Sequence, residues 1–166
     1  MINVRTIISI ALVLSLTSAL AQAPLTESPH RSIVKAEAVE YLFPEQISIP
    51  AGKPAPVALH FRIRQGLHIN SHAPHDNYLI PTVLTIPEES GVRLEAATYP
   101  PGNEFTLPVD PSTKLNVYTG EFTIQARVLA TPGDHLVEAK LRYQACDQNA
   151  CMPPRTITVP IDVIGK

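Results

Sequence analysis

Two cysteines are the residues of this sequence best suited to chemistry, and the chain contains no others. Cys146 and Cys151 enclose four small or polar residues, among them the turn formers Asp147, Gln148 and Asn149. The chain can therefore reverse between the cysteines and bring their Cα atoms within the roughly 4.4–6.8 Å that a disulfide requires. Such a pair can exchange electrons with another protein when a thiolate attacks a disulfide sulfur, and this chemistry needs no metal or organic cofactor.

The same pair could instead form a structural disulfide. Closure of so short a loop stabilises a fold by only roughly 2 kcal/mol in the chain-entropy model. A short accessible loop is also where a partner thiolate can reach a sulfur, and exposed disulfides are the labile ones. The spacing of the cysteines leaves both interpretations open.

Basic residues near the cysteines are few. None lies between them to lower the pKa of a thiol. Arg155 follows closely in sequence, and His68 could lie near in space. We expect neither to tune the thiol, so the pair should rely on the better nucleophile of its partner.

Histidines supply a second candidate site. His68, His72 and His75 share one stretch with Asp76, and copper would be the metal to consider, with Met152 or a cysteine as a softer ligand. The spacing matches no strong metal motif, and the stretch has the prolines and asparagines of a polar loop. We therefore predict no metal site and no cofactor.

The elements that must position these residues are strands. Apolar and polar residues alternate over 57–64, 122–128, 137–144 and 157–163, which indicates four strands with one buried face each. Weaker strand candidates are 36–43, 46–49, 79–86, 92–99 and 115–118, and seventeen prolines disfavour long helices. Short strands at this spacing predict an all-β, two-sheet immunoglobulin-like β-sandwich. The cysteines then lie at the tip of a hairpin between the last two strong strands.

The first 21 residues have the features of a secretory signal peptide. Arg5 precedes a short apolar run, and small residues, Ala19 and Ala21, stand where signal peptidase reads the chain. We expect cleavage after Ala21, with cleavage after Ala23 or an uncleaved anchor as alternatives. Residues 22–33 should form a flexible leader and 34–166 the folded domain. These features predict a periplasmic protein whose mature chain does not span the membrane.

Two other classes of function, nucleic-acid binding and serine hydrolysis, have no support in the sequence. Basic residues are scattered singly along a chain of net charge −2, so nothing favours nucleic acid as a partner. A Gly-x-Ser-x-Gly hydrolase motif is absent.

The residues around the cysteines resemble a known family. The stretch 143–154 reads Tyr-Gln-Ala-Cys, four residues, then Cys-Met-Pro-Pro. It is similar to the active-site hairpin in the N-terminal domain of the DsbD thiol:disulfide interchange proteins. Supporting matches occur in the same order upstream, at 66–70, 79–82, 99–105 and 117–120. The resemblance covers about residues 34–164.

This resemblance implies an immunoglobulin-like domain that takes electrons from a thioredoxin-like domain and passes them to periplasmic disulfide isomerases or cytochrome c maturation proteins. Cys151 would form the mixed disulfide with the partner, and Cys146 would resolve it. The expected partners are thioredoxin-like periplasmic proteins or a membrane thiol reductase. The chain would then be a component of a protein-disulfide reductase system.

The family also has a cap loop whose aromatic residue shields the disulfide. Asn103, Glu104 and Phe105 fall at that place, with Phe105 as the cap and Glu104 as a nearby carboxylate. A core aromatic that follows a turn is the alternative for Phe105. We expect further site-lining residues at His68, Asn70 and Tyr143, although a strand tyrosine such as Tyr143 is more often a core residue.

Two features depart from the family pattern. Full-length members continue into a transmembrane electron conduit and a thioredoxin-like domain, whereas this chain ends at Lys166. We therefore expect a stand-alone exported protein that depends on another protein for electrons. Many members also have a longer spacing between the cysteines. The rival hypothesis is a non-catalytic secreted binding module with a structural disulfide, for which copper is the candidate ligand.

Overall fold

The structure is a computed structural model. Strands in which buried and exposed residues alternate make up most of it. It describes residues 37–42, 46–108 and 110–166. These residues fall within the compact unit Lys35–Lys166. The predicted signal peptide (1–21) and leader (22–33) lie outside the described residues.

Twelve strands occur in the described part of the chain. They are β1 (Val39–Leu42), β2 (Gln46–Ile49), β3 (Ala55–Ile63), β4 (His68–Asn70), β5 (Val83–Thr85), β6 (Val92–Thr98), β7 (Asn103–Leu107), β8 (Asp110–Tyr118), β9 (Glu121–Ala130), β10 (Gly133–Tyr143), β11 (Ala145–Cys146) and β12 (Arg155–Gly165). The one helical segment among these residues is a 3-10 turn at Glu88–Ser90.

The strands form three four-stranded sheets. The first sheet has the order β1-β3-β9-β6, the second β2-β12-β10-β5 and the third β11-β4-β8-β7. Side chains from the first two sheets meet in one hydrophobic core, which includes Leu59 and Ile124 from one sheet and Leu141 and Val159 from the other. The all-β, immunoglobulin-like sandwich is thus confirmed, but a third sheet accompanies the two that were predicted.

The four strong alternating segments correspond to β3, β9, β10 and β12. Buried and exposed residues alternate along β3 without interruption, because successive side chains of a strand point to opposite faces. The segment 79–86 forms only the short strand β5, since Pro81 lacks the N–H that a sheet ladder needs. The short strands β4, β7 and β11 were not predicted.

Strands β10 and β12 form the hairpin that carries the cysteines. Their antiparallel register is unbroken from Gly133 opposite Gly165 to Tyr143 opposite Arg155. The cysteine segment begins directly after Tyr143 and ends shortly before Arg155, which confirms its predicted place at the hairpin tip.

The third sheet lies beside this tip. Gly66 has a positive φ of 80° in the turn between β3 and β4, a conformation that glycine adopts without strain. Strand β4 then pairs with β11 on one side and with β8 on the other. The turn thus brings His68 to the cysteines. Within the residues described here, we find no helix long and apolar enough to cross a membrane.

Candidate functional site

A disulfide joins Cys146 to Cys151 at the hairpin tip. The two residues face each other across an antiparallel bridge, with a Cα–Cα distance of 3.9 Å. On either side of the bridge, Met152 N donates to Ala145 O at 2.8 Å and Asp147 N donates to Ala150 O at 3.0 Å. The cysteines therefore occupy a non-hydrogen-bonded position, where facing Cα atoms come closest. This position explains a Cα separation below the range expected from the sequence.

Asp147 closes the loop between the cysteines. Its Oδ1 accepts hydrogen bonds from the backbone N–H of Asn149 at 2.7 Å and of Ala150 at 2.8 Å. These two donors hold the pKa of the Asp147 carboxyl below its ordinary value. The turn predicted from Asp147 and Asn149 is therefore built by the aspartate side chain.

The two cysteines differ sharply in exposure. Cys146 is buried, with 1% of its surface accessible, whereas Cys151 is exposed. A large partner can therefore approach the pair from the Cys151 side. This asymmetry gives the two ends of one disulfide different access to solvent.

The third sheet sorts its side chains onto two faces. On its inner face Ala145 lies opposite Ile69, and Ile69 lies opposite Tyr118, and all three join the main core. Cys146 and His68 are the next facing pair, so they point to the outer face. Cys146 is therefore buried outside the main core, beside a histidine.

Phe105 covers His68 on this outer face. Phe105 lies on β7 opposite Leu115, and the ring centroids of Phe105 and His68 are 4.3 Å apart. Leu115 is buried, and Phe105 is half-buried. The outer face thus has a small apolar cover next to the cysteine pair.

His68 is a buried histidine with an unusual environment. Burial lowers the pKa of its imidazole, and the Asp147 carboxylate partly opposes that shift. Its Nε2 is fully enclosed and has no hydrogen-bond partner among the described residues. The imidazole is therefore neutral near pH 7.

Gln144 ties the cysteine hairpin to β4. Its Oε1 accepts a hydrogen bond from Asn70 Nδ2 at 3.3 Å, and its Nε2 donates to Met152 O at 3.2 Å. Asn70 Nδ2 also donates to Ile80 O at 3.1 Å. These bonds hold the backbone on both sides of the cysteines against the third sheet.

An open groove of about 530 Å³ runs past the site. His68 and Phe105 line one part of it, Gln148 from the cysteine loop another, and Arg62 and Arg64 a third. The groove therefore joins the cysteine loop to the end of β3, where Arg62 is paired with Glu121.

Comparison with known proteins identifies the family. The model of the N-terminal region of thiol:disulfide interchange protein DsbD matches residues 38–162. The chain belongs to this family. The chain is also similar to a crystal structure of the Neisseria meningitidis DsbD n-terminal domain in the reduced form, with a TM-score of 0.48 and 20% identity over 69% of this chain and 82% of that one. A search of curated proteins found no match.

Membership of the DsbD N-terminal family makes this chain a thiol:disulfide interchange domain. The predicted cap residues lie on a strand, β7, at the edge of the third sheet rather than in a loop. Asn103 shares the outer face with Phe105, because the two are two positions apart on one strand. Glu104 points to the other face and forms an ion pair with Lys114 at 2.6 Å. That pairing lowers the pKa of Glu104.

The remaining residues predicted to line the site of this DsbD N-terminal domain occupy different places. Asn70 is fully buried on the outer face with His68. Tyr143 belongs to the main core, and its hydroxyl donates to Glu37 Oε2 at 3.2 Å. The structure therefore brings Cys146, Cys151, His68, Phe105 and Asn70 together, and it leaves Tyr143 and Glu104 outside the cluster.

The histidine stretch is not gathered around one point. His72 stacks on Tyr99 with ring centroids 3.8 Å apart, and its Nδ1 lies 3.0 Å from Thr82 O. His68 is enclosed beneath Phe105 instead. In the described ranges no group of three or more His, Cys, Asp or Glu side chains could hold a metal ion.

Sequence reasoning missed two residues of the site. Gln144 was quoted only as part of the family motif, and Asp147 was noted only as a turn former. The signal for both was proximity to Cys146 in sequence. The hydrogen bond from Asn70 to Gln144 and the electrostatic effect of Asp147 on His68 depend on a strand pairing that no local pattern reveals.

Proposed function

We propose that this protein exchanges thiols and disulfides with partner proteins in the periplasm through Cys146 and Cys151. The observation that carries the proposal is the disulfide at the hairpin tip, with one exposed and one buried cysteine. The partners would be thioredoxin-like proteins or a membrane thiol reductase on one side of the exchange, and a disulfide-bonded acceptor on the other.

The exchange follows from the exposure of the pair. A thiolate of the reductant attacks Cys151 Sγ, the bond to Cys146 Sγ breaks, and Cys146 leaves as a thiolate. A second thiol of the reductant then releases Cys151. In the opposite half-reaction, the Cys151 thiolate attacks the disulfide of the acceptor, and Cys146 resolves the mixed disulfide. Two electrons pass in each half-reaction.

Phe105 would limit access to the pair. Its ring lies on His68, which is the cross-strand neighbour of Cys146, so the aromatic cover stands on the buried side of the disulfide. We infer that it shields Cys146 and directs partners to Cys151. His68 and Asn70 line the inner wall of the same place, and Asn103 lies at the end of β7 on the same face.

Export would place the protein in a compartment that allows the disulfide to form. Residues 1–21 would be the export signal, 22–33 a leader and 34–166 the working domain. Disulfides persist in the bacterial periplasm and are rare in the cytosol.

A trapping experiment tests the exchange. The reduced Cys146→Ser variant is mixed with a thioredoxin-like protein that keeps only one active-site cysteine, held as a mixed disulfide with glutathione, so that the glutathione thiolate leaves on attack. Mixed disulfides between the two proteins are then separated by non-reducing electrophoresis. The variant should accumulate a covalent complex through the exposed Cys151, because the resolving thiol is absent. The matched Cys151→Ser variant should give little complex, because Cys146 is buried. Failure of both variants to form a complex would reject the exchange function.

The reduction potential of the pair separates exchange from a static disulfide. Equilibration in glutathione or dithiothreitol buffers should give roughly −180 to −270 mV, the range of thiol-exchange proteins. A value well below about −300 mV would identify a structural disulfide and favour the non-catalytic binding module.

A further inference from the structure

His68 and Cys146 are direct neighbours across two strands. They are a facing pair in the β4–β11 ladder, and both point to the outer face of the third sheet. Facing side chains in an antiparallel pair have Cβ atoms roughly 4.5–5.5 Å apart. The imidazole is therefore the nearest titratable group across the ladder from the buried cysteine.

The Nε2 atom of His68 lacks a hydrogen-bond partner among the described residues although it is fully enclosed. A buried polar atom left unpaired costs free energy, so folded proteins rarely retain one without a reason. Burial also keeps this imidazole neutral near pH 7, so it has a free lone pair available at one ring nitrogen. An enclosed proton acceptor thus stands beside Cys146, whose neighbour in sequence, the Asp147 carboxylate, is the weaker base because two backbone hydrogen bonds lower its pKa.

Among the charged groups around His68, Asp147 favours this role. The Asp147 carboxylate raises the pKa of His68 against the effect of burial, so it would stabilise an imidazolium. Arg62 and Arg64 line the groove beside His68, and Arg62 is paired with Glu121 at 2.9 Å. On β7, Glu104 faces away from His68.

We propose that His68 accepts the proton of the Cys146 thiol when Cys146 resolves a mixed disulfide on Cys151. The inference rests on the exchange function proposed above and adds a named base to it. Paired thiolate and imidazolium attract each other strongly in a buried site, as in other cysteine–histidine pairs.

The step balances in protons and electrons. The Cys146 S–H bond breaks, and its proton moves to His68 Nε2. The Cys146 thiolate then attacks Cys151 Sγ, forms the Cys146–Cys151 disulfide and expels the thiolate of the partner. The chain is oxidised by two electrons and the partner is reduced by two. The proton passes from the imidazolium to the departing thiolate or to solvent. In the reverse direction the imidazolium protonates Cys146 as it leaves.

The test separates the two steps of oxidation by glutathione disulfide. Reduced wild-type protein and the His68→Gln variant are mixed with the reagent, quenched with acid and analysed by mass spectrometry. Attack by Cys151 gives a glutathionylated chain, and resolution by Cys146 removes the glutathione. In His68→Gln the glutathionylated species should persist about 10²-fold longer at neutral pH, the lower end of the effect of a general base. Its rate of formation should stay near that of the wild type.

The pH profile distinguishes a base from a packing residue. Wild-type resolution should reach half its maximum rate at or below the ordinary histidine pKa of 6.5. In His68→Gln the rate should rise only toward the ordinary thiol pKa of about 8.5. His135→Gln is the matched control, because His135 lies at the far end of the same hairpin, opposite Val163. An unchanged lifetime and profile in His68→Gln would overturn the inference.

A second variant keeps the test independent of changes in packing at His68. Asp147→Asn retains an oxygen for the two loop hydrogen bonds but removes the charge that raises the pKa of His68. The half-maximal pH of resolution should move down, and an unmoved profile would contradict the role of His68. If the wild-type protein forms neither the glutathionylated species nor the disulfide, the exchange function itself fails, and this inference with it.

Discussion

On the inner face of the third sheet, Ile69, Tyr118 and Ala145 pack into the main core, whereas the outer face of the same sheet carries Cys146, His68 and Phe105. The inner residues are apolar or have their hydroxyl paired, whereas the outer face holds the buried cysteine of a disulfide and an unpaired nitrogen. Because successive side chains of these short strands point to opposite faces, the reactive residues lie directly across the sheet from residues of the main core. We infer that the inner face fixes the position of the cysteines and that the outer face sets their reactivity.

The largest expected loss of stability comes from a substitution on the inner face. Ile69→Ala should lower the free energy of unfolding by about 2–5 kcal/mol, because Ile69 is fully buried and its truncation leaves a cavity. Urea denaturation of the oxidised protein measures the change. Leu136→Ala is the matched control, since Leu136 is 76% exposed and its truncation should change the free energy by no more than about 0.5 kcal/mol. Equal losses in both variants would contradict the assignment of Ile69 to the core.

A smaller loss is expected when the disulfide is removed from the outer face. The Cys146→Ala/Cys151→Ala double variant should unfold with about 2 kcal/mol less free energy, because the cross-link closes only a short loop. Wild-type protein in a reducing buffer provides the comparison in the same urea titration. A loss as large as that of Ile69→Ala would make the disulfide a main structural element.

The cover on the outer face can be removed separately. Phe105→Ala should speed reduction of the disulfide by dithiothreitol about tenfold, equivalent to about 1.4 kcal/mol of barrier, because the aromatic shield over His68 is gone. Stopped-flow or quenched thiol counting measures the rate. Thr106→Ala is the control, since Thr106 is exposed and adjacent on β7. A rate equal to the wild-type value would show that Phe105 only packs.

The smallest effect concerns pH. Because burial lowers the pKa of His68, the unfolded chain binds a proton at this residue at a pH where the folded chain does not. The free energy of unfolding should therefore fall as the pH drops below about 6.5. Above that pH His68 should contribute no pH dependence, because its imidazole is neutral in both the folded and the unfolded chain. Urea titrations at about pH 7.5 and about pH 5.5 measure the change, and His68→Gln should show a weaker dependence. The same dependence in both proteins would assign it to other groups.

Long strands with one buried face could be predicted from the sequence, and short ones could not. Alternation in β3, β9, β10 and β12 gives a clear period of two, so these strands and the hairpin that bears the cysteines were predicted. Strand β4 is buried at all three positions and shows no alternation. Strand β11 has only two residues, and β7 follows a proline-rich turn. Within the third sheet, only the end of β8 was predicted, as the weaker candidate 115–118.

The site was predictable to the extent that its residues are adjacent in sequence or matched a family motif. The cysteine pair, the loop and Phe105 were named on those grounds. Two features of the site had no local signal in the sequence: the burial of Cys146 beside an exposed Cys151, and the pairing of Cys146 with His68. Both depend on the pairing of β4 with β11, two strands that are far apart in the sequence. Glu104 follows the motif but pairs with Lys114 on the opposite face from Phe105, because one step along a strand reverses the direction of a side chain.

The parallel pairing of β2 with β12 has a consequence for how the chain reaches its native state. Gln46 on β2 donates to Asp162 on β12 at 2.8 Å across 116 positions of sequence. Contacts of such high order slow folding, because the intervening chain must be ordered before they form. As the ribosome makes the chain from its amino end, β2 has no ladder partner until β12 has been synthesised. The second sheet can therefore be completed only once β12 has been synthesised, and without β12 strand β2 would have no ladder partner and β10 would have one open edge.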